Sequence, residues 1–138
     1  MNTNDDIVIC SLNVRGLADN KKRRETFLWL RRIRYALYML QELHCSSETV
    51  DLWATEWGYK TIFSSFSSKK VGVCFLFNSN FAFEISKQYI DPNGRFIIAD
   101  VSIENRKSRY SMSMVRIVTI QTCLNMSQTI YSTLNAKK

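Results

Sequence analysis

The sequence predicts an α/β protein in which a mixed sheet is flanked by helices. Two observations lead to this prediction. Residues 7–58 alternate between short apolar runs typical of buried strands and amphipathic stretches with helical spacing. From residue 59 the pattern changes to strand-like segments separated by polar turns, and the chain closes on another stretch with helical spacing. An order of β-α-β-α, then several strands and a last helix, is typical of α/β or α+β proteins.

Length and composition indicate one globular domain. The chain has 138 residues, of which 46% are hydrophobic, enough to form a core. We expect residues 1–6, which are polar, to be disordered and residues 7–138 to form the domain. No apolar run approaches the roughly 18 residues of a membrane span. Asp5 and Asp6 stand where a signal peptide would carry basic residues, so we expect an intracellular protein without membrane contact.

The cysteines are widely spaced and form no C-x-x-C motif. We interpret all four as free thiols in a reducing compartment. They are Cys10, Cys45, Cys74 and Cys123. An alternative is that Cys45 and the adjacent His44 form half of a zinc site, but two further ligands are not apparent in the sequence.

Polar side chains follow the first two predicted strands at the point where each strand ends. The apolar runs over residues 7–13 and 35–41 predict buried strands, and they lead into Asn13 and Glu42. In an open α/β sheet, ligands bind outside the carboxyl ends of the strands. An amide beside a carboxylate suits Mg²⁺, which takes oxygen ligands and often only one or two protein carboxylates. Asn13 and Glu42 are therefore the candidate metal ligands, although a lone Glu at a strand end is often merely structural.

Two helices are predicted between these strands and the rest of the chain. Asp19 or Asn20 can cap a helix over residues 21–34. The second helix is expected to begin at Ser46 or Ser47 and to end before Gly58, a residue suited to the left-handed position after a helix.

The positive charge of the chain is concentrated on the first helix. The formal net charge is +7, and residues 21–34 hold seven basic residues against one acid, Glu25. The commoner interpretation is a solvated outer helix face; the other is a surface that follows nucleic-acid phosphates, and the two are compatible. The candidate nucleic-acid-binding residues are Arg15, Lys21, Lys22, Arg23, Arg24, Arg31 and Arg32.

The second part of the chain is predicted to be mainly strands. Asp91-Pro92-Asn93-Gly94 has the residues of a type I turn and predicts a hairpin. Met126, Ile130 and Leu134 are spaced by four, which predicts a closing helix over residues 126–137. The expected strands cover residues 59–64, 71–78, 81–89, 95–104 and 109–120.

Six segments, taken in order, resemble one family. They are Ser11-Leu12-Asn13-Val14-Arg15-Gly16-Leu17, Phe27-Leu28-Trp29-Leu30, Leu40-Gln41-Glu42-Leu43-His44, Leu52-Trp53-Ala54-Thr55-Glu56-Trp57-Gly58, Gly72-Val73-Cys74-Phe75-Leu76-Phe77-Asn78 and Asp91-Pro92-Asn93-Gly94-Arg95-Phe96. Over residues 7–120 the chain resembles the endonuclease domain of LINE-type non-LTR retrotransposons. That domain belongs to the endonuclease/exonuclease/phosphatase superfamily, together with the apurinic/apyrimidinic endonucleases.

The resemblance implies a four-layer α/β sandwich, Mg²⁺ as cofactor, DNA as partner, nicking by phosphodiester hydrolysis and a nuclear location. Glu42 matches the metal-binding glutamate of the family, and Asn13 matches the asparagine at its metal and phosphate site. Arg95 matches the arginine after the hairpin turn. His44 stands where the family often has histidine, but it does not match the catalytic one. A phosphatase of the same superfamily is a further interpretation.

The chain also departs from the family pattern. It covers about half of a full two-sheet domain, so we expect the N-terminal half only, ending after the first sheet. Arg116, Val118 and Gln121 stand where the family has Asn, Tyr and Asn, and the late Asp-x-Asn and Asp-His segments are missing. We therefore expect a truncated, catalytically inactive domain. The alternatives are a non-catalytic nucleic-acid-binding fragment and a functionless relic. An uncovered sheet face is expected to promote self-association.

Overall fold

The computed structural model of the chain describes residues 7–66, 71–105, 112–120 and 128–134. The predicted α/β class with a mixed sheet and flanking helices is confirmed, while the predicted disorder of residues 1–6 lies outside the described residues. The elements are β1 (Ile9–Asn13), α1 (Asn20–Ile33), β2 (Leu37–Gln41), α2 (Val50–Trp57), β3 (Thr61–Ser64), β4 (Val73–Phe77), β5 (Phe81–Ile90), β6 (Phe96–Asn105), β7 (Met112–Ile120) and β8 (Gln128–Leu134).

The described strands form two four-stranded sheets. The first has the order β1-β2-β4-β3, with β1 and β2 parallel and the other pairs antiparallel. The second has the order β5-β6-β7-β8 and is antiparallel throughout. The expectation that the chain ends after the first sheet is therefore wrong. The strands from Phe81 onward, on both sides of the Asp91–Gly94 turn, build a second sheet instead of extending the first.

The predicted closing helix is also wrong. Gln128–Leu134 is strand β8, which pairs antiparallel with β7 in the register Val118 to Ile130 and Met114 to Leu134. A spacing of four residues fits one face of a strand as well as one face of a helix. The β-branched residues of this segment favour a strand, and β7 offers a free edge for pairing.

Two apolar cores hold three layers together. One lies between the helices and the first sheet and includes Phe27, Leu30, Tyr38 and Trp57. The other lies between the two sheets and joins side chains of β2, β3 and β4 to those of β6 and β7: Leu37, Met39, Ile62, Val73, Phe75, Phe77, Ile97, Ala99, Val101, Ile103 and Ile117. Both faces of the first sheet are thus covered.

The predicted uncovered face is consequently not on the first sheet. The outward face of the second sheet carries the exposed side chains of Tyr89 and Ile120, and Tyr89 stacks on Phe96 at 5.5 Å between ring centroids. Self-association through an uncovered sheet face stays a prediction, and it now concerns this outward face.

Two of the four helix ends follow the sequence signals, and the start of α2 does not. Asp19 caps α1, since its Oδ2 accepts a hydrogen bond from the backbone N of Lys22 at 2.8 Å. Gly58 ends α2 with a φ of 87°. The predicted start of α2 at Ser46 or Ser47 is wrong, because residues 46–49 form a turn that Thr49 closes onto the carbonyl of Ser46. In the described part of the chain, no helix has the length and apolarity needed to cross a membrane.

Candidate metal and phosphate site

The parallel pair β1–β2 brings Asn13 and Glu42 to one edge of the first sheet. Asn13 is the Cα partner of Gln41, and Glu42 follows directly in the chain. Beyond the strand ends the backbones stay paired, with Gly16 N donating to the carbonyl of Glu42 at 2.7 Å. Since parallel strands end at the same edge, the backbone brings Asn13 and Glu42 to neighbouring positions there.

The backbone at this edge is held in an unusual conformation. Arg15, Glu42 and His44 have φ values of 51°, 59° and 56°, in the left-handed region that residues other than glycine seldom occupy. Such a conformation costs about 1–3 kcal/mol per residue and persists only where the surroundings impose it. Three of the four such residues in the described structure lie in the two segments that carry Asn13 and Glu42.

The side chains of Asn13 and Glu42 keep oxygen atoms available. Asn13 Oδ1 accepts one hydrogen bond, from the backbone N of Arg15 at 3.0 Å, and retains a second lone pair. The Glu42 side chain is 27% exposed, and its Oε1 lies 4.0 Å from Nε2 of His44. A ligand can therefore reach the carboxylate from solvent.

Behind these two residues lies a buried polar cluster that the sequence did not reveal. The Nε2 of Gln41 donates to Oγ of Ser11 at 2.9 Å and to Oγ1 of Thr119 at 2.9 Å, so it connects the two sheets. The Oε1 of Gln41 is buried and has no hydrogen-bond partner in the described structure. One signal was present in the sequence: Ser11 and Gln41 break apolar strands at positions that share a face with Ile9 and Met39.

This donor set fits Mg²⁺. The edge offers one carboxylate, one amide oxygen with a free lone pair, and a buried amide oxygen of Gln41 that lacks a partner. Mg²⁺ accepts a few protein oxygens and completes its shell with water and substrate phosphate. Among the described residues, however, no group of three His, Cys, Asp or Glu side chains is arranged to hold a metal. These residues could therefore hold Mg²⁺ only as an ion with few protein ligands.

Strand β7 turns Ile117 and Thr119 toward the space between the sheets. Thr119 and Ile117 are buried on the inner face, so by alternation Arg116 and Val118 lie on the outward face. Arg116 and Val118 therefore point away from the space between the sheets, and Gln121 lies outside the described residues. The alignment of these three residues with Asn, Tyr and Asn of the family stays a prediction. Arg116 instead forms a two-pronged pair with Asp100 at 2.7 and 3.1 Å, which lowers the pKa of that carboxyl.

Arg23 was predicted to bind nucleic acid, but the structure places its side chain in the interior. Its side chain is buried at 2% exposure, and it forms an ion pair with Glu56 in which Nη2 lies 2.7 Å from Oε1. The same guanidinium donates to the carbonyls of Leu17 and Ala18 and lies 4.8 Å from the Trp53 ring centroid. Hydrogen bonding from Arg23 lowers the pKa of Glu56. These contacts join α1 to α2 and leave Arg23 no access to a phosphate.

Arg31 is also committed to the fold. Its Nη2 donates to the carbonyls of Glu56 and Trp57, which end α2, and its guanidinium lies against the rings of Trp57 and Tyr59. A cation at the carboxyl end of a helix is favoured by the helix dipole. Arg31 is therefore less available to a nucleic acid than its sequence suggests.

The remaining candidate cations are exposed. Lys22 lies at the same sheet edge as Asn13, because its Nζ donates to the carbonyls of Val14 at 2.9 Å and Arg15 at 3.3 Å. Arg95 is near the same edge. The carbonyl of its neighbour Gly94 accepts a hydrogen bond from Gly72 N, and the carbonyl of Gly72 accepts one from the N of Leu43, the residue after Glu42. The other exposed cations are Arg15, Lys21, Arg24 and Arg32.

The thiols do not point to zinc. Cys10, Cys45 and Cys74 are free, as expected, while Cys123 lies outside the described residues. Burial raises the pKa of all three thiols, which disfavours the thiolate that binds a metal. The half site of His44 and Cys45 gains no further ligand within the described residues.

No protein-family model matches the chain, and neither does any curated protein. The fold and the site together describe an α/β protein with two packed sheets and an oxygen-rich edge at the carboxyl ends of β1 and β2.

Proposed function

We propose that this chain is an endonuclease-like, nucleic-acid-binding domain of the endonuclease/exonuclease/phosphatase type. In this proposal Asn13 and Glu42 hold Mg²⁺ against a backbone phosphate, and the chain as it stands does not cleave DNA. The observation that carries the proposal is the position of these two side chains at one sheet edge, on backbone held in the left-handed conformation. The resemblance of the six sequence segments supports the same assignment.

Charge around the edge supports phosphate binding. Arg15 and Lys21 are exposed, and Lys22 is fixed against the loop that follows β1. Clustered Lys and Arg side chains supply the salt-dependent part of nucleic-acid affinity, whatever the base sequence. Mg²⁺ bound beside them would supply charge neutralisation and Lewis-acid polarisation of a phosphate oxygen.

The chemistry of the inner side chains behind Asn13 supports the proposed inactivity. Hydrolysis needs a general base for the attacking water. The residues behind Asn13 are Ser11, Gln41 and Thr119, and none of these side chains takes up a proton near neutral pH. The Thr119 hydroxyl is already bonded to Gln41, so it serves as a cross-sheet contact.

The test combines binding and cleavage on the same protein. We expect Mg²⁺ to strengthen binding to a short DNA duplex, EDTA and Glu42→Gln each to remove that gain, and supercoiled plasmid to stay intact throughout. Glu48→Gln, an exposed acid outside the edge, serves as the matched control and should retain the gain.

Three outcomes distinguish the alternatives. Nicking that EDTA and Glu42→Gln both abolish would show an active enzyme and contradict the proposed inactivity. A DNA affinity that changes neither with Mg²⁺ nor in Glu42→Gln would indicate a protein that binds nucleic acid through its positive charge alone. A folded protein that binds no DNA at low salt would favour the functionless relic.

A further inference from the structure

A second cleft lies at the opposite end of the first sheet from Glu42. It has a volume of about 260 Å³ and is lined by Arg31, Arg34, Trp57, Tyr59, Asn78, Ser79 and Asn80. Asn78 follows β4, and its backbone N donates to the carbonyl of Ala36, just before β2. With about 3.3 Å per strand residue, the five residues of β2 separate this cleft from Glu42 by roughly 17 Å. The two sites are therefore distinct.

The charge of the cleft favours an anion. Among the described residues that line it are two guanidinium groups and no carboxylate. Arg31 uses Nη2 to cap α2, while its Nε is buried without a hydrogen-bond partner in the described structure. Arg34 is exposed at the end of α1 and forms no ion pair with any described residue. A guanidinium pairs well with phosphate oxygens.

The helix ends moderate this attraction. The carboxyl ends of α1 and α2 both lie at the cleft, because Arg34 and Trp57 line it, and helix carboxyl ends carry partial negative charge. Arg31 offsets that charge by donating to the last carbonyls of α2, which leaves Arg34 as the main cation for a ligand. An anion alone should therefore bind weakly, and a second type of contact is needed for useful affinity.

That second contact is available from an aromatic ring. Tyr59 is 46% exposed, and its ring lies at a right angle to that of Trp57 with 6.0 Å between the centroids. The guanidinium of Arg31 lies over the ring at 5.7 Å from its centroid, so these two contacts hold the ring in place and a base would stack on its exposed part. Stacking of a base on such a ring is worth about 1–3 kcal/mol. Ser79 and Asn80 are exposed beside it and offer polar groups to a base edge. Asn78 is occupied in bonds to Tyr35 O and Asn80 N at 2.9 Å each, and it fixes this turn.

We infer that this cleft binds a nucleotide, with the phosphate on Arg34 and the base stacked on Tyr59. The nucleotide is either a free mononucleotide or one unit of a single strand. The inference does not depend on the proposed function, since it uses none of the residues at the Asn13–Glu42 edge.

The experiment is an NMR titration of the whole chain with AMP, adenosine and inorganic phosphate. We expect AMP to bind more tightly than either of its parts and to shift the Trp57 indole and Asn80 amide signals. Arg34→Ala and Tyr59→Leu should each weaken AMP binding by about ten-fold. Arg32→Ala removes an equally exposed cation of α1 that does not line the cleft, and it should change the affinity by less than about two-fold.

Two results would overturn the inference. One is AMP that binds no more tightly than phosphate. The other is equal affinity in Arg34→Ala and Arg32→Ala. Glu42→Gln should leave AMP binding unchanged, so failure at one site is distinguishable from failure at the other. Competition by a short oligothymidylate would identify a strand as the source of the nucleotide, and its absence would identify the free nucleotide.

Discussion

The imidazole of His44 packs directly on the backbone of Gly16. A Cβ at Gly16 would lie 2.6 Å from Nδ1 of His44, a distance that real Cβ atoms do not reach, and the φ of Gly16 is +88°. This contact ties the loop after β1 to the loop after β2, the two segments that carry Asn13 and Glu42. The shape of the candidate site thus depends on a glycine that both the positive φ and the close packing require.

The first prediction concerns Gly16→Ala. It should lower the free energy of unfolding by about 3 kcal/mol, because strain at positive φ is combined with a clash. Gly58→Ala is the matched control: its φ is +87°, but its nearest neighbour would be Nη2 of Arg31 at 3.6 Å. Urea unfolding should show a clearly smaller loss for Gly58→Ala. Equal losses in the two variants would mean that the His44 contact has no energetic effect.

The second prediction concerns the pH dependence given by Arg23 and Glu56. Hydrogen bonding from Arg23 lowers the pKa of Glu56 in the folded chain. A carboxyl with a lowered pKa stabilises the fold above its unfolded pKa of about 4.3, and the contribution is lost as pH falls through the folded pKa. Glu56→Gln should therefore cost stability at pH 7 and flatten the loss of stability between about pH 5 and pH 3.

Urea unfolding at a series of pH values measures this effect. Asp51→Asn, which changes an exposed acid of the same helix, should leave the pH profile of the parent chain unchanged. A profile for Glu56→Gln as steep as that of the parent would refute the link. Arg23→Met should also be destabilising, by about 3 kcal/mol or more, since it leaves Glu56 without its partner.

The third prediction concerns the contact between the sheets. Thr119→Val removes the hydroxyl that accepts from Gln41 Nε2 and keeps the shape of the side chain. We expect a loss of about 1 kcal/mol in the free energy of unfolding. In a double-mutant cycle with Ser11→Ala, the two effects should not add, because both residues accept from the same Nε2. Strict additivity would indicate that Gln41 does not link the sheets.

Sequence patterns predicted the sheet edge that carries Asn13 and Glu42, but they did not predict the buried polar contacts behind it. The position of Asn13 and Glu42 at one sheet edge could be predicted, because parallel strands with short apolar runs end at the same edge. The contact of Gln41 with Thr119 spans 78 residues of sequence, and that of Arg23 with Glu56 spans 33. No local period encodes such pairings, so Thr119 was missed and Arg23 was assigned to the wrong role.

The prediction of a closing helix failed for a different reason. Met126, Ile130 and Leu134 satisfy both the helical and the strand period, so the spacing alone could not decide. The deciding factor was the free edge of β7, which exists only once the second sheet is assembled. The prediction of an exposed first sheet failed with it, because β6 and β7 supply the apolar side chains that cover that face.

The last prediction compares exposed cations of α1 with a cation held in an ion pair, by their effect on DNA affinity. The logarithm of affinity falls with the logarithm of salt concentration by about 0.9 per phosphate contact on duplex DNA. Lys21→Ala and Arg32→Ala should therefore each weaken binding to any duplex and reduce this slope by about 1, since both side chains are exposed. Arg116→Ala is the control, because its guanidinium is paired with Asp100 on the second sheet. Fluorescence anisotropy at several salt concentrations gives the slopes, and a slope that changes as much for Arg116→Ala would place the DNA on the outward face of the second sheet instead of along α1.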